Sequence, residues 1–246
     1  MKKVIILISF TIFLLIFLKL VFSYLFYLDL KNEHDNDFES FISEFNYKLI
    51  PQKNLNIFYV NGNNSEKETL LVIQDINNEL YKDEFIKYSF KKGKVSFFIC
   101  DYKRGLEGGN FLNLKNKFSE IFRNFLKICE SQVSKGNRLV VFSYKTGALF
   151  IPCLAGNGVQ KVIFYNVEIS PFKQKKGVVY FLKKNLIDFD FGLEKLLKNG
   201  KFEKVFLFDK DFLKVNTSEK LLFYISSSPK EFFVLKNREK FFNFIN

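Results

Sequence analysis

Histidine is almost missing from this sequence, since His34 is the only one among 246 residues. Histidine is the side chain that most often serves as a general base, so its scarcity excludes most acid–base relays. Cysteine is also rare: Cys100, Cys129 and Cys153 are far apart and include no C-x-x-C pair. Three widely spaced cysteines indicate neither a disulfide framework nor a zinc site. We expect free buried thiols, no bound metal and no cofactor.

Several nucleotide- and metal-binding motifs are absent as well. The sequence contains no Walker loop, no dinucleotide fingerprint and no H-E-x-x-H. The formal net charge of +12 favours an anionic partner. However, the lysines are spread along the chain, and the excess of Phe, Lys, Asn and Ile is typical of AT-rich coding sequence. We therefore expect no nucleic-acid partner, while a basic envelope protein that holds anionic lipid headgroups stays open as an alternative.

A long apolar run does occur at the N-terminus. Residues 4–28 are apolar apart from Lys19, and this length suffices for a helix to span a bilayer. Lys2 and Lys3 precede the run and acidic residues follow it, so the positive flank should stay in the cytoplasm. We predict a membrane anchor within residues 1–30 and an extracytoplasmic body. The alternative is a signal peptide cleaved near residues 21–23, which would give a secreted or periplasmic protein.

The remaining chain divides into a charged stretch, residues 31–44, interpreted as a linker, and a domain over residues 45–246. Strand and helix patterns alternate in this domain, which predicts an α/β fold with a mostly parallel sheet and helices on both faces. Predicted strands cover residues 47–50, 55–60, 69–73, 94–100, 139–144, 160–165, 204–208 and 231–235, and predicted helices cover residues 78–90, 114–134, 147–156, a stretch capped at Asn216, and 238–245.

The stretch from Leu139 to Ala148 combines a buried strand, a sharp turn and a helix. Ser143 and Gly147 are small residues placed two before and two after Lys145. This arrangement resembles the nucleophile elbow, G-x-S-x-G, of the α/β-hydrolases. In that family the central residue is the nucleophile, usually serine. Here Lys145 occupies that position, so the resemblance implies the fold of the family without its usual nucleophile.

A second motif follows the predicted strand 94–100. The sequence Asp101-Tyr102-Lys103-Arg104-Gly105-Leu106-Glu107-Gly108-Gly109 resembles the D-Y-R-G-x-G-x-S-x-G turn of serine hydrolases of the lipase and aminopeptidase type. One residue is inserted and the serine is missing. The resemblance implies structural roles for Asp101, Tyr102, Arg104 and Gly105. The alternative interpretation is an ordinary glycine-rich loop.

The other site positions implied by the resemblance are degenerate. The oxyanion loop falls at Gln74 and Asp75, where a carboxylate would oppose developing negative charge unless it points away. Asp211 occupies the position of the catalytic acid, although a capping or solvated loop aspartate explains it equally well. The catalytic histidine belongs near Asn237 or Arg238, and neither residue is a histidine.

These departures predict a membrane-anchored α/β-hydrolase-like protein without catalysis. We expect it to act as a binding module for a protein, peptide or lipid ligand, with the membrane as its partner through residues 4–28. The alternative is an esterase or peptidase with an unorthodox site, using Ser143 as nucleophile or a desolvated Lys145. A buried Lys145 would instead be expected to form an ion pair with Asp211.

Overall fold

The computed structural model describes residues 2–32, 35–53, 55–62, 68–76, 79–106, 113–133, 138–154, 159–168, 191–199, 201–209 and 232–235. Its centre is an eight-stranded sheet. The strands are β1 (Tyr47–Gln52), β2 (Leu55–Val60), β3 (Glu68–Ile73), β4 (Phe97–Asp101), β5 (Arg138–Tyr144), β6 (Lys161–Tyr165), β7 (Glu203–Asp209) and β8 (Phe232–Leu235).

The strands lie in the order β1-β2-β4-β3-β5-β6-β7-β8. β1 and β2 form an antiparallel hairpin, β2 is antiparallel to β4, and every pairing from β4 to β8 is parallel. The predicted mostly parallel sheet is therefore confirmed. One strand starts later than predicted: β4 begins at Phe97, because Lys94 has a left-handed backbone that ends the preceding helix.

Helices cover both faces of this sheet. They are α1 (Lys2–Asn32), α2 (Asp35–Ser43), α3 (Glu79–Lys82), α4 (Glu84–Gly93), α5 (Tyr102–Leu106), α6 (Leu114–Gln132), α7 (Ile151–Leu154) and α8 (Leu193–Asn199), with a 3₁₀ helix at Lys145–Phe150. Alternate residues of β3 enter different cores: Leu71 and Ile73 pack with α6, and Leu70 and Val72 pack with α2 and α4. This alternation follows from the two-residue period of a strand.

One predicted helix forms as expected, and another is divided into two. The predicted helix 114–134 is confirmed as α6, whose apolar face is buried, including Phe118, Phe122 and Phe125. The predicted helix 78–90 is instead two helices that meet at Asp83. The Asp83 carboxylate accepts hydrogen bonds from the N–H groups of Phe85 and Ile86, and this cap starts a new helix.

The N-terminal helix α1 has an exposed part and a docked part. Residues Val4–Leu28 are long and apolar enough to cross a membrane, with a mean hydropathy of 2.9. Near the end of this segment, however, Phe26 is only 4% exposed and belongs to the same core as α6. Phe22 and Tyr27 pack against that core as well. The helix therefore joins the domain directly.

Within the stretch predicted as a linker, residues 31–44, the helix α2 packs on the domain through its apolar side chains. Phe38, Phe41 and Ile42 are buried there, and the Phe38 ring lies 5.1 Å from Phe58 and 5.2 Å from Tyr81. The many charges of this stretch conceal an apolar face at helical spacing, which the sequence analysis did not recognise. The helices predicted after Asn216 and over 238–245 lie outside the described residues.

Candidate functional site

The carboxyl end of β5 carries the turn that the sequence singles out. The strand ends at Tyr144, and the 3₁₀ helix starts at Lys145, whose φ of +45° is left-handed. A residue with a side chain rarely adopts this conformation, which costs about 1–2 kcal/mol. Lys145 therefore stands at the tip of a strained strand-to-helix turn, where a hydrolase of this type places its nucleophile.

The turn packs directly on the end of β3. A Cβ atom at Gly147 would lie 2.4 Å from the carbonyl oxygen of Ile73 and 2.8 Å from that of Gln74. Both are backbone atoms, so neither can move aside as a flexible side chain would. Glycine is therefore required at this position for steric reasons.

The ammonium of Lys145 is paired. Its Nζ contacts the carboxylate of Glu79 on α3 and lies 5.4 Å from the centre of the Tyr144 ring. Burial acts to lower the pKa of Lys145, but Glu79, Glu168 and Asp75 outweigh it and raise that pKa above its usual value. The side chain is thus a permanent cation at neutral pH. A general base or Schiff-base lysine needs the opposite shift.

The backbone at Lys145 gives a test of the strained turn. Lys145→Gly and Lys145→Ala both remove the ion pair, but only glycine relieves the left-handed conformation. We expect Lys145→Gly to unfold with a free energy about 1 kcal/mol higher than that of Lys145→Ala. Chemical denaturation of both variants measures the difference. If Lys145→Ala is instead more stable than Lys145→Gly, residue 145 has an ordinary backbone conformation.

One N–H group that could bind an oxyanion already donates a hydrogen bond within the protein. In hydrolases of this fold, the N–H after the nucleophile and an N–H of the loop after β3 bind the oxyanion. Here the N–H of Ile76, in the loop after β3, donates to Oγ1 of Thr146 at 2.9 Å. Thr146 directly follows Lys145. One candidate donor for an oxyanion is therefore used to hold the turn.

Asp75 caps a helix. Its two carboxylate oxygens accept hydrogen bonds from the N–H groups of Glu79 (3.1 Å) and Leu80 (3.0 Å). Burial raises the pKa of Asp75 to about 6, although these two hydrogen bonds oppose the rise. Asp75 thus positions α3, and with it the Glu79 carboxylate that meets Lys145.

The raised pKa of Asp75 predicts a pH-dependent stability. A carboxyl group with a higher pKa when folded stabilises the protein below its unfolded pKa, and this contribution is lost as the pH rises through about 6. We compare the unfolding free energy of Asp75→Asn with that of the unchanged protein at each pH. We expect this difference to be about 2–3 kcal/mol more favourable to the variant at pH 7.5 than at pH 4. Urea denaturation at both pH values measures this change, and an unchanged difference would mean that Asp75 titrates normally.

Ser143, the alternative nucleophile, lies within the sheet. Its side chain is fully buried, and its Oγ has no hydrogen-bond partner in the part of the chain that the structure describes. A nucleophilic serine needs access to substrate and a base within hydrogen-bond reach. The position of Ser143 offers neither among the described residues.

The motif that begins at Asp101 follows β4 as the sequence indicates. Asp101 ends the strand, and Tyr102 begins the short helix α5. Tyr102 is buried, and its hydroxyl donates to the carbonyl of Ile76 at 3.4 Å. Gly105 is also buried in α5. The side chain of Arg104 lies outside the described part of the structure, so its predicted structural role stays a prediction.

Sequence reasoning missed two carboxylates that accept hydrogen bonds from tyrosine hydroxyls, one at the end of β7 and one at the start of α4. Asp209 ends β7, and its Oδ2 accepts from the Tyr165 hydroxyl at 2.8 Å and from Nδ2 of Asn166 at 3.2 Å. Asp83 accepts from the Tyr144 hydroxyl at 2.8 Å. The position of Asp209 at the end of an apolar run is the one sequence signal that indicates it, because parallel strands place functional groups at their carboxyl ends.

Three predicted positions fall outside the described residues: Asp211, His34 and the region of Asn237 and Arg238. The expected partner of Lys145 was Asp211. That pairing stays a prediction, because Asp211 lies outside the described residues. Among the described residues, Lys145 pairs with Glu79, whose carboxylate α3 brings to the tip of the turn.

Solved structures resemble this chain over most of its length. A candidate esterase from Staphylococcus aureus is 12% identical with a TM-score of 0.55, covering 86% of this chain and 81% of that one. An alpha-beta hydrolase from Vibrio vulnificus is 14% identical with a TM-score of 0.53, covering 84% and 79%. An esterase from Pyrococcus furiosus is 14% identical with a TM-score of 0.52, covering 78% and 82%. No protein-family model and no curated protein sequence matches the chain.

Proposed function

We propose that this chain, which has the fold of the α/β-hydrolases, is a membrane-anchored binding module that does not hydrolyse acyl substrates. The observation that carries the proposal is the ion pair between Lys145 and Glu79 at the tip of the elbow. An anionic or neutral nucleophile belongs at that position, and a paired ammonium replaces it. The turn is retained because the fold needs it.

Each component of acyl transfer is affected. The reaction needs a nucleophile, a base that takes its proton and donors for the oxyanion. Lys145 is protonated and paired, the N–H of Ile76 is bound to Thr146, and Asp75 and Glu79 bring negative charge close to the turn. A developing oxyanion would therefore meet carboxylates in a site that should offer it donors.

The anchoring part of the proposal depends on α1. Its side chains from Val4 to Phe17 are mostly exposed and apolar, whereas its end packs on the domain at Phe26. Residues 4–21 would measure about 27 Å as a helix, close to the ~30 Å hydrocarbon core of a bilayer. Lys2 and Lys3 favour a cytoplasmic N-terminus, so the proposed domain lies at the membrane–water interface on the opposite, extracytoplasmic side.

Labelling with a serine-directed phosphonate tests the loss of catalysis. We expect the full chain in detergent to remain unlabelled, because Ser143, two residues before Lys145, is buried. Heat-denatured protein serves as the background. Labelling that disappears in Ser143→Ala would contradict the proposal and support an esterase with an unorthodox nucleophile.

A further inference from the structure

A cavity of about 380 Å³ lies beside the elbow, beneath helix α2. Its base is formed by the carboxyl ends of β3 and β4, at Gln74 and Asp101, and by Asn56 of β2, which pairs with Asp101. Helix α2 covers it from above. The cavity therefore exists only because residues 35–43 fold onto the domain, which the charge pattern of this stretch does not suggest.

Aromatic rings form much of the cavity wall. Phe38, Tyr47, Phe58 and Tyr81 contact one another edge to face, with ring centres 5.1–5.3 Å apart. The edge-to-face packing gives neighbouring rings different orientations. Ring faces carry partial negative charge and attract cations.

The charged side chains among the described lining residues of the cavity are acidic. Glu39 and Asp101 both line it, and among the lining residues that the structure describes there is no lysine or arginine. This is unexpected in a chain with a formal net charge of +12. Burial, Tyr102 and Asp101 together raise the pKa of Tyr81, so its phenol stays neutral at physiological pH.

Gln74 adds an unused hydrogen-bond acceptor. The side chain is fully buried and its Nε2 donates to the carbonyl of Cys100 at 2.8 Å, which fixes the amide. Its Oε1 has no hydrogen-bond partner among the residues that the structure describes. A buried acceptor that is left unpaired is destabilising, so a donor bound in the cavity would remove this penalty.

We propose that this cavity binds a primary alkylammonium group. The ammonium donates to Gln74 Oε1, its charge meets the Asp101 carboxylate, and its alkyl chain lies among the aromatic rings. The aromatic wall alone would accept any organic cation, but the unpaired Gln74 oxygen selects a cation that carries N–H donors. This inference names the ligand class of the proposed binding module and rests on that proposed function.

Two sources supply such a group: a free amine, and the ethanolamine headgroup of a membrane lipid. The second is within reach because α1 contacts α5, which begins at Tyr102, a residue of the cavity wall. Phe26 of α1 and Tyr102 belong to one core. The cavity thus lies next to the point where the anchor meets the domain.

Calorimetric titration of the full chain in phosphatidylcholine nanodiscs tests the proposal, with propylammonium as the probe. We expect one site per chain and at least about tenfold weaker binding of tetramethylammonium, which has no N–H donor. Asp101→Asn should weaken propylammonium binding about tenfold through loss of a charge-assisted contact. The matched control is Asp37→Asn, whose carboxylate lies on α2 and pairs with Lys82 at 2.9 Å; it should leave binding unchanged.

The outcomes separate the alternatives. No binding, equal binding of tetramethylammonium, or no effect of Asp101→Asn would overturn the ammonium site. If Asp101→Asn does not fold, Glu39→Gln at the exposed side of the cavity is used instead, with an expected loss of about threefold. In phosphatidylethanolamine nanodiscs, weaker apparent binding of propylammonium supports a lipid headgroup as the natural ligand, and unchanged binding supports a free amine. Ester hydrolysis would overturn the proposed function without affecting this titration.

Discussion

We expect Gly147→Ala to lower the free energy of unfolding by more than about 3 kcal/mol, beyond the usual range for overpacking. The added Cβ would lie 2.4 Å from the Ile73 carbonyl oxygen and 2.8 Å from that of Gln74. Relief requires the turn and the end of β3 to separate, which disrupts the contact that holds the elbow. Thermal and chemical denaturation measure the loss.

Gly192→Ala is the matched control for this substitution. Gly192 has a φ of +81°, and a Cβ there would meet no atom within 4 Å. It therefore reports the cost of a left-handed backbone alone, which we expect to be about 1–2 kcal/mol. If Gly147→Ala is no more damaging than Gly192→Ala, the turn does not pack against β3, and the assignment of an elbow fails.

The second large effect concerns helix α1. We expect Phe26→Ala to cost about 3 kcal/mol of unfolding free energy, because the ring is 4% exposed and belongs to the main core. The matched control is its neighbour Leu25→Ala, at a position that is 43% exposed and should cost under about 1 kcal/mol in water or mild detergent. Hydrogen exchange of the domain in detergent compares the two variants.

Two truncated chains extend this test. A chain that starts at Tyr24 keeps Phe26, and one that starts at Lys31 loses it. We expect the first to fold and to leave the membrane fraction, and the second to be less stable by an amount close to that of Phe26→Ala. Equal stability of the two chains would show that α1 is a tether without a structural role in the domain.

The sheet could be predicted because each strand carries its own signal. Runs such as Thr69 to Ile73 are continuously apolar, as expected for a strand covered on both faces. The long helix α6 shows its apolar face at regular helical spacing. These patterns are local, so a single sequence suffices to recognise them, and the resemblance to the α/β-hydrolases depends on the same local features.

The pairing at the elbow could not be predicted because it is not local. Glu79 lies 66 residues before Lys145 and reaches it through the position of α3, which Asp75 caps. Nothing in the sequence around Lys145 indicates which carboxylate it meets, and the expected pairing with Asp211 lies outside the described residues. The cavity beneath α2 was missed for the same reason, since its wall combines α2 with residues from several strands and from two other helices.

Steady-state hydrolysis of a short acyl ester tests the central claim most directly. The samples are the full chain in detergent, Lys145→Ala and Ser143→Ala, each compared with its heat-denatured form. Because Lys145 is a paired cation at the nucleophile position, we predict that none of the three exceeds the background rate. A rate above background that is lost in Lys145→Ala or in Ser143→Ala would contradict the account and show that the elbow still carries a working nucleophile.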